Sequence, residues 1–249
     1  MEFAGRTAFI TGGGSGIGEV FADHLAARGA HVVLADIDLA VAEAAAIRIR
    51  GEGHKALAVA CDVADQASVE AAVAQTVAQC GGLDILINNA ARHLMTYAGP
   101  PTGLSSELWS QMLNVNVVGV INCARAARPH LAKRPGVIIN MSSIAGFSAT
   151  SPYGVSKLAV RGLTVGLATE FSKDGVRVCG IAPGLVDSPA ATAEVPDEIR
   201  KRLVEQVQLV HRHGTMTDLA NAMLFFCSDQ ASFVTGETLI VGGGSSVRI

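Results

Sequence analysis

The 249-residue chain has no uninterrupted apolar run approaching the roughly 18–20 residues of a bilayer-spanning helix. Its opening stretch, MEFAGRTAFITGGG, lacks the basic segment, apolar core and cleavage site of a secretory leader in that order. Clustered Lys and Arg are missing as well. The 19 basic residues face 22 acidic ones, for a net charge of −3, so binding to nucleic-acid phosphates is not expected. Cysteine is sparse: Cys61, Cys80, Cys123, Cys179 and Cys227 are odd in number, widely scattered and without CxxC spacing. That pattern encodes neither a disulfide framework nor a zinc site, and it fits a reducing, cytoplasmic compartment with no membrane or metal partner. No internal repeat, low-complexity tract or linker divides the chain.

What is present is ample material for one core. Hydrophobic residues make up 49 % and mean hydropathy is +0.38, which suits a single domain at the upper end of its size range. Short aliphatic and β-branched runs recur at 7–11, 31–35, 56–60, 84–87, 137–141, 176–182 and 239–241. They show little alternation of apolar and polar residues, as strands buried on both faces of a parallel sheet do. Helix-length segments lie between them, at 17–28, 39–50, 68–79, 107–131 and 153–172. Glycines follow the first three (Gly29; Gly51 and Gly53; Gly81-Gly82), and Asp65 and Ser105 stand where N-caps belong. This alternation predicts an α/β, Rossmann-type doubly wound sheet of about seven parallel strands. The least regular stretch, 184–213, is broken by Pro189 and Pro196. It follows a strand's carboxyl end, so we expect it to cover the substrate, with a short helix at 197–210 inside it.

The first strand runs into Thr11-Gly12-Gly13-Gly14-Ser15-Gly16-Ile17-Gly18 and then a helix. Such a turn lets a pyrophosphate approach backbone N–H groups at a helix N-terminus, whose dipole also favours anions. The spacing is Gly12-x-x-x-Gly16-x-Gly18, not GxGxxG, and a glycine-rich sequence can also be only a tight turn. Asp36 ends the second strand, where an acid accepts hydrogen bonds from an adenosine ribose. A 2′-phosphate would meet its charge with no adjacent Arg or Lys to offset it, so NAD(H) is expected over NADP(H). Asp62 and Val63, after the third strand, are candidates to border the adenine, with Asp62 as a plain turn residue the alternative. Thus far a methyltransferase using S-adenosylmethionine fits equally well.

Tyr153 and Lys157 separate the two. Residues four apart share a helix face, which brings phenol and ammonium to one site. With two tyrosines in the chain, a chance Tyr-x-x-x-Lys is expected roughly 0.04 times. Lowering a phenol by about three pKa units takes about 4 kcal/mol of anion stabilisation, which the ammonium and an oxidised nicotinamide ring can supply together. The alternative is a surface i,i+4 pair without chemistry.

The motifs 11–18, Asn88-Asn89-Ala90, Asn116, Ser142-Ser143, Tyr153 with Lys157, Pro183-Gly184, and the terminal Thr235-Gly236 with Val241-Gly242-Gly243 occur in the order of the short-chain dehydrogenase/reductase family. The resemblance spans essentially the whole chain. It implies that Tyr153 is the acid/base toward the substrate oxygen and that Lys157 lowers its pKa while bonding the nicotinamide ribose. Ser143 resembles the donor to the carbonyl or hydroxyl oxygen, and Asn116 the helix asparagine that positions a water bridging to Lys157. Gly12, Ser15, Gly16, Ile17 and Gly18 resemble the pyrophosphate turn, and Asn89 and Ala90 the turn beside the adenosine ribose. Pro183, Gly184, Val186 and Ser188 resemble the segment against the nicotinamide. The sequence departs from the family pattern at Ala91 (usually glycine), at Ser188 (usually threonine) and at Gly242 (usually aspartate). The Ser143-to-Tyr153 interval is also a few residues shorter than usual.

Residues expected to face the substrate are Arg92, His93, Met95, Ala145, Phe147, Leu185 and Ala190. They are mostly apolar, which favours a small secondary alcohol or ketone. Arg92 and His93 are candidates to pair with a carboxylate, or are simply solvated. His211 and His213 read as loop histidines. The small-residue helix stretch 160–167 suggests close helix packing, and the resemblance implies a homotetramer. The runner-up function is a 3-oxoacyl-carrier-protein reductase. A non-catalytic dinucleotide-binding module and a methyltransferase are more distant alternatives, and sugar-nucleotide epimerases need a substrate region that this chain lacks.

Overall fold

The computed structural model describes residues 1–92, 95–189, 193 and 195–246. Seven strands form one parallel sheet: β1 (Thr7–Thr11), β2 (His31–Asp36), β3 (Lys55–Ala60), β4 (Ile85–Asn88), β5 (Val137–Met141), β6 (Arg177–Pro183) and a final strand, β9 (Thr238–Val241). Their order is β3-β2-β1-β4-β5-β6-β9, so the chain reverses its winding between β1 and β4. In open α/β sheets a crevice forms at such a reversal, outside the carboxyl ends of the strands.

Both sheet faces are dry, which explains the missing polar alternation. Ala8, Ile10, Val32, Leu34, Ile85, Ile87 and Ile139 face a core shared with α1 (Gly16–Ala26), α2 (Leu39–Gly51) and the last helix, α9 (Met216–Cys227). Phe9, Val33, Leu86, Ile138 and Val178 face the opposite core, with α3 (Gln66–Cys80), α5 (Gly119–Leu131) and α7 (Pro152–Phe171). Each such valine, leucine, isoleucine or phenylalanine, fully withdrawn from water, contributes about 1.5–3 kcal/mol. The five cysteines are free thiols, and burial pushes the Cys61 thiol up to about 12.

Four features differ from the expected elements. The expected continuous helix 107–131 is α4 (Ser106–Leu113), a π-helical turn Asn114–Val118, and α5. Asn114, Asn116 and three valines are poor helix formers, and Gly119 packs so tightly on Val63 that a Cβ there would lie 2.9 Å from Val63 Cγ2. Between Ser143 and Tyr153 a short helix, α6 (Ala145–Ser148), ends on Ala149, which has a left-handed φ of 52°. The expected helix 197–210 stops early. It comprises α8 (Asp197–Arg202) and a π-helical turn Leu203–Val207, after which Gln208 is extended. A two-stranded parallel pair, β7 (Val186–Asp187) with β8 (Gly214–Thr215), was not anticipated from the sequence.

The carboxyl ends of β1 and β4 are stitched together. The Thr11 hydroxyl accepts the backbone N–H groups of Asn89 and Ala90, each at 3.0 Å, and donates to the Ile87 carbonyl. The Asn89 amide donates to the carbonyls of Thr11 (2.9 Å) and Gly12 (3.1 Å). Helix α1 backs onto this stitch through Gly18, where a Cβ would lie 2.2 Å from the Gly12 oxygen and 2.7 Å from Asn89 Nδ2. Gly18→Ala should therefore destabilise the fold by ~2 kcal/mol or more. A calorimetric melting midpoint equal to that of the wild type would contradict this.

Candidate active site

A cavity of about 440 Å³ opens at the reversal. At one end its wall is Gly12, Ser15, Gly16, Ile17 and Asp36, together with Asn89, Ala90 and Ala91 from the turn after β4. Asp38, Asp65, Ser105, Ser151 and Thr215 cap their helices with side-chain oxygens, but Ser15 makes no such bond at the start of α1. Gly16 has φ +57°, and a Cβ there would meet nothing within 4 Å. The first-turn amides of α1 are thus uncapped by side chain and border open space, a cradle suited to a pyrophosphate. Asp36 is held by two backbone donors, Gly14 N to Oδ2 and Asp38 N to Oδ1, both at 3.1 Å. Each carboxylate oxygen keeps acceptor capacity for a ribose diol. The residues present fit a dinucleotide.

At the other end stand Met141, Ser142, Ser143, Tyr153 and Lys157. Ser151 accepts the Gly154 N–H and Pro152 occupies the first turn, which starts α7 and puts Tyr153 and Lys157 on one face of it. The Lys157 ammonium is buried, donates to the Met141 carbonyl at 2.8 Å, and lies 5.6 Å from the Tyr153 ring centroid. Burial lowers its pKa to about 8. The Ser143 side chain lies close enough to the Tyr153 hydroxyl to favour its anion. Burial nonetheless pushes the phenol up to about 12, Ser143 offsetting only part of that rise. From the sequence, the ammonium and an oxidised nicotinamide ring are expected to acidify the phenol together; what the chain itself contributes is the opposing effect of burial. In the protein by itself, desolvation of the anion is the largest influence on the phenol.

The family profile described as Enoyl-(Acyl carrier protein) reductase matches residues 12–246. An uncharacterised oxidoreductase of Mycobacterium tuberculosis is 39 % identical over 99 % of both chains. The (2S)-[(R)-hydroxy(phenyl)methyl]succinyl-CoA dehydrogenase subunit BbsD of Thauera aromatica is 36 % identical over 99 % of both. The human dehydrogenase/reductase SDR family member 4 is 35 % identical, over 99 % of this chain and 89 % of its own. The chain belongs to the short-chain dehydrogenase/reductase family. It is an oxidoreductase of the kind that uses NAD(P)(H) on alcohol or ketone groups.

Within this dehydrogenase/reductase, the two neighbouring serines have different surroundings. Ser142 Oγ donates to the Lys157 carbonyl at 2.9 Å, whereas Ser143 is the one whose side chain favours the Tyr153 anion. Asn116 is buried outside the cavity wall. Its Oδ1 accepts the Arg92 N–H (2.7 Å) and its Nδ2 donates to Ser156 Oγ (3.1 Å), whose own hydroxyl donates to the Tyr153 carbonyl (2.7 Å). Asn89 lines the cavity while its amide holds the glycine turn. Pro183, Gly184, Val186 and Ser188 line the cavity, as do Arg92 and Leu185.

Gly18, Asp62 and Val63 are not in the cavity wall. Asp62 Oδ1 turns back to the Ala64 N–H, and the Val63 carbonyl accepts from Asn122. Among the expected substrate contacts, Ala145 and Phe147 sit on α6 outside the wall, and the Phe147 ring stacks under Arg161, 3.5 Å away. Met95 opens a short 3-10 turn, and His93 and Ala190 lie outside the described residues. His213 proves to have an acidic neighbour, Asp187, at 3.6 Å, while His211 contacts the Val204 carbonyl.

Sequence reasoning missed Thr11, whose hydroxyl looks like any strand-end threonine until β4 lies beside it. It also left Gly242 unassigned. A Cβ on Gly184 would lie 2.6 Å from Gly242 Cα, so two glycines face each other where the turn after β6 meets the end of β9. Tyrosinate absorbance of the protein alone should reveal one phenol ionising near 12, absent in Tyr153→Phe. Ionisation of Tyr153 below pH ~10, its unperturbed value, would refute the burial argument.

Proposed function

We propose that the protein transfers hydride between NAD(H) and a small, largely apolar secondary alcohol or ketone, with Tyr153 as the acid/base. The observation that carries this is the cavity itself. It joins a helix start with no side-chain cap and a fixed carboxylate at one end to Ser143, Tyr153 and a buried Lys157 at the other. A bound nicotinamide supplies the hydride donor or acceptor.

The chain's own residues do the rest. In the reductive direction Tyr153 gives its proton to the carbonyl oxygen and Ser143 donates a hydrogen bond to the same oxygen. In the oxidative direction Tyr153, as the anion, takes the hydroxyl proton. With the phenol near 12, that direction needs two cations, the Lys157 ammonium and the oxidised ring, to bring the phenol toward neutrality. Asn116 ties the turn after β4 to the start of α7, which carries Tyr153.

Further support concerns the wall and the surface. Ser188, Pro189 and Val195 line the cavity, which favours residues 184–213 as the substrate-covering segment, and Arg200 of α8 is ion-paired there with Asp187 of β7. Leu158 and Val165 on α7 are exposed, and Gly162 and Gly166 border open space, which suits helix-to-helix contact in a homotetramer. No described helix is long and apolar enough to cross a membrane. The five free thiols accord with a reducing, cytoplasmic setting.

A second reading, a 3-oxoacyl-carrier-protein or related thioester reductase, is favoured by the description of the matching family and by the acyl-CoA named for the Thauera aromatica relative. Against its usual NADPH use stands Asp36, followed by Ile37, Asp38 and Leu39 with no cation.

Tyr153→Phe should cut kcat by about 10³-fold or more while NADH still binds. Near-normal turnover in a spectrophotometric screen of secondary alcohols and ketones would refute the mechanism. For the cofactor, kcat/KM with NADH should exceed that with NADPH by about tenfold or more, because a carboxylate beside a 2′-phosphate costs on the order of a few kcal/mol. Asp36→Ala should narrow the gap, and a wild-type preference for NADPH would overturn the assignment.

A further inference from the structure

The charged side chains in the cavity wall are segregated, and this bears on the substrate class of the dehydrogenase/reductase site just proposed, on which reading the inference rests. Asp36 lies at the glycine-turn end. Lys157 lines the Tyr153 end, Arg92 is tied to that end through its backbone, and no other described residue of the wall carries a carboxylate. The Lys157 ammonium is already bonded to the Met141 carbonyl.

Arg92 is different. Its backbone N–H is fixed on Asn116 Oδ1 at 2.7 Å, and Asn116 is joined through Ser156 to the Tyr153 carbonyl. The residue is therefore held two side chains away from the backbone of the proposed acid/base. Its exposed guanidinium makes no ion pair or hydrogen bond among the described residues. Arg48, Arg128, Arg200 and Arg212 each hold a carboxylate, and Arg177 holds backbone carbonyls. Arg202, which also lacks a partner among the described residues, is exposed on α8 and is not part of the wall. A planar fork of N–H donors with no partner among the described residues, lining a cavity whose wall also presents the apolar Leu185, Val186 and Pro189, is matched in shape and charge to an oxyanion.

We propose that Arg92 forms an anion-binding subsite that selects substrates carrying an oxyanion, carboxylate or phosphate, beside the reacting alcohol or ketone. The body of the substrate meets the apolar wall, and its anionic group meets the guanidinium. The overall charge of −3 does not supply this attraction; it is local to one end of one cavity.

The test is initial-rate NADH oxidation by the full chain with 3-oxobutanoate and 4-oxopentanoate, each against its uncharged methyl ester. 3-Oxobutanoyl-CoA provides the phosphate-bearing arm, and NADH Kd is measured in parallel. The wild type should favour an acid or the CoA ester over the neutral ester by about tenfold or more in kcat/KM. Arg92→Ala should collapse that ratio, Arg92→Lys should restore part of it, and NADH Kd should move far less than the ratio does. Which anionic arm collapses tells carboxylate from phosphate. The inference is overturned if the wild type shows no preference, if the preference survives in Arg92→Ala, or if NADH Kd rises in step with the loss. Reduction of neutral ketones without any acid preference sinks this inference and leaves the oxidoreductase reading standing. Failure of every ketone while NADH binds sinks both.

Discussion

Where β1 and β4 end side by side, their following turns diverge, and the backbone groups at that fork need partners other than a continuing sheet. Thr11 and Asn89, 78 positions apart, supply them. One hydroxyl takes two N–H groups from the β4 turn, and one side-chain amide takes two carbonyls from the β1 turn. Everything in the crevice is referenced to this fork. It sets where the amides at the start of α1 point, how close Ala90 comes to Gly12, and where the strand-end turn leads into Arg92. The glycines at 12 and 18 belong to the same constraint, since backbone and amide nitrogen occupy the space that a side chain would need.

At the opposite end of the cavity a different balance governs. An ammonium and a phenol one helical turn apart are both withdrawn from water, and withdrawal disfavours the charged form of each. It lowers Lys157 and raises Tyr153, leaving both closer to neutral than their spacing alone suggests. The Met141 carbonyl holds the ammonium in place, and Ser143 partly stabilises the phenolate. The phenol is the member kept neutral, while Lys157, lowered only to about 8, stays an ammonium at neutral pH.

The architecture was legible because the sheet is buried on both faces. Strands such as Phe9-Ile10 or Val33-Leu34 must be apolar at successive positions, and runs of that kind stand out between helix-length segments. Helix starts at Asp65 and Ser105 were readable from their cap residues, and both side chains do cap. The π turn at 114–118 was not readable, because a helix that widens by one residue keeps nearly the same apolar spacing as one that does not. Nor was α6, whose four residues are shorter than any periodicity can register. The β7–β8 pair joins two-residue segments far apart in the chain, so no local pattern encodes it.

By themselves the residues determined which chemical groups are available: a glycine turn after a strand, an acid about twenty positions on, and a tyrosine and lysine on one helix face. These follow from local rules of spacing and conformation that act over one or two turns of chain. Only the tertiary structure decided which of two adjacent serines meets the phenol, why Gly242 is small, and that Asp62 folds back on its own turn. It also decided that the Arg92 guanidinium has no partner among the described residues, while the Asn116 side chain is bonded at both ends. Each of those outcomes depends on which atoms from distant parts of the chain arrive within hydrogen-bonding or contact distance, and how much water they exclude, which sequence spacing does not specify.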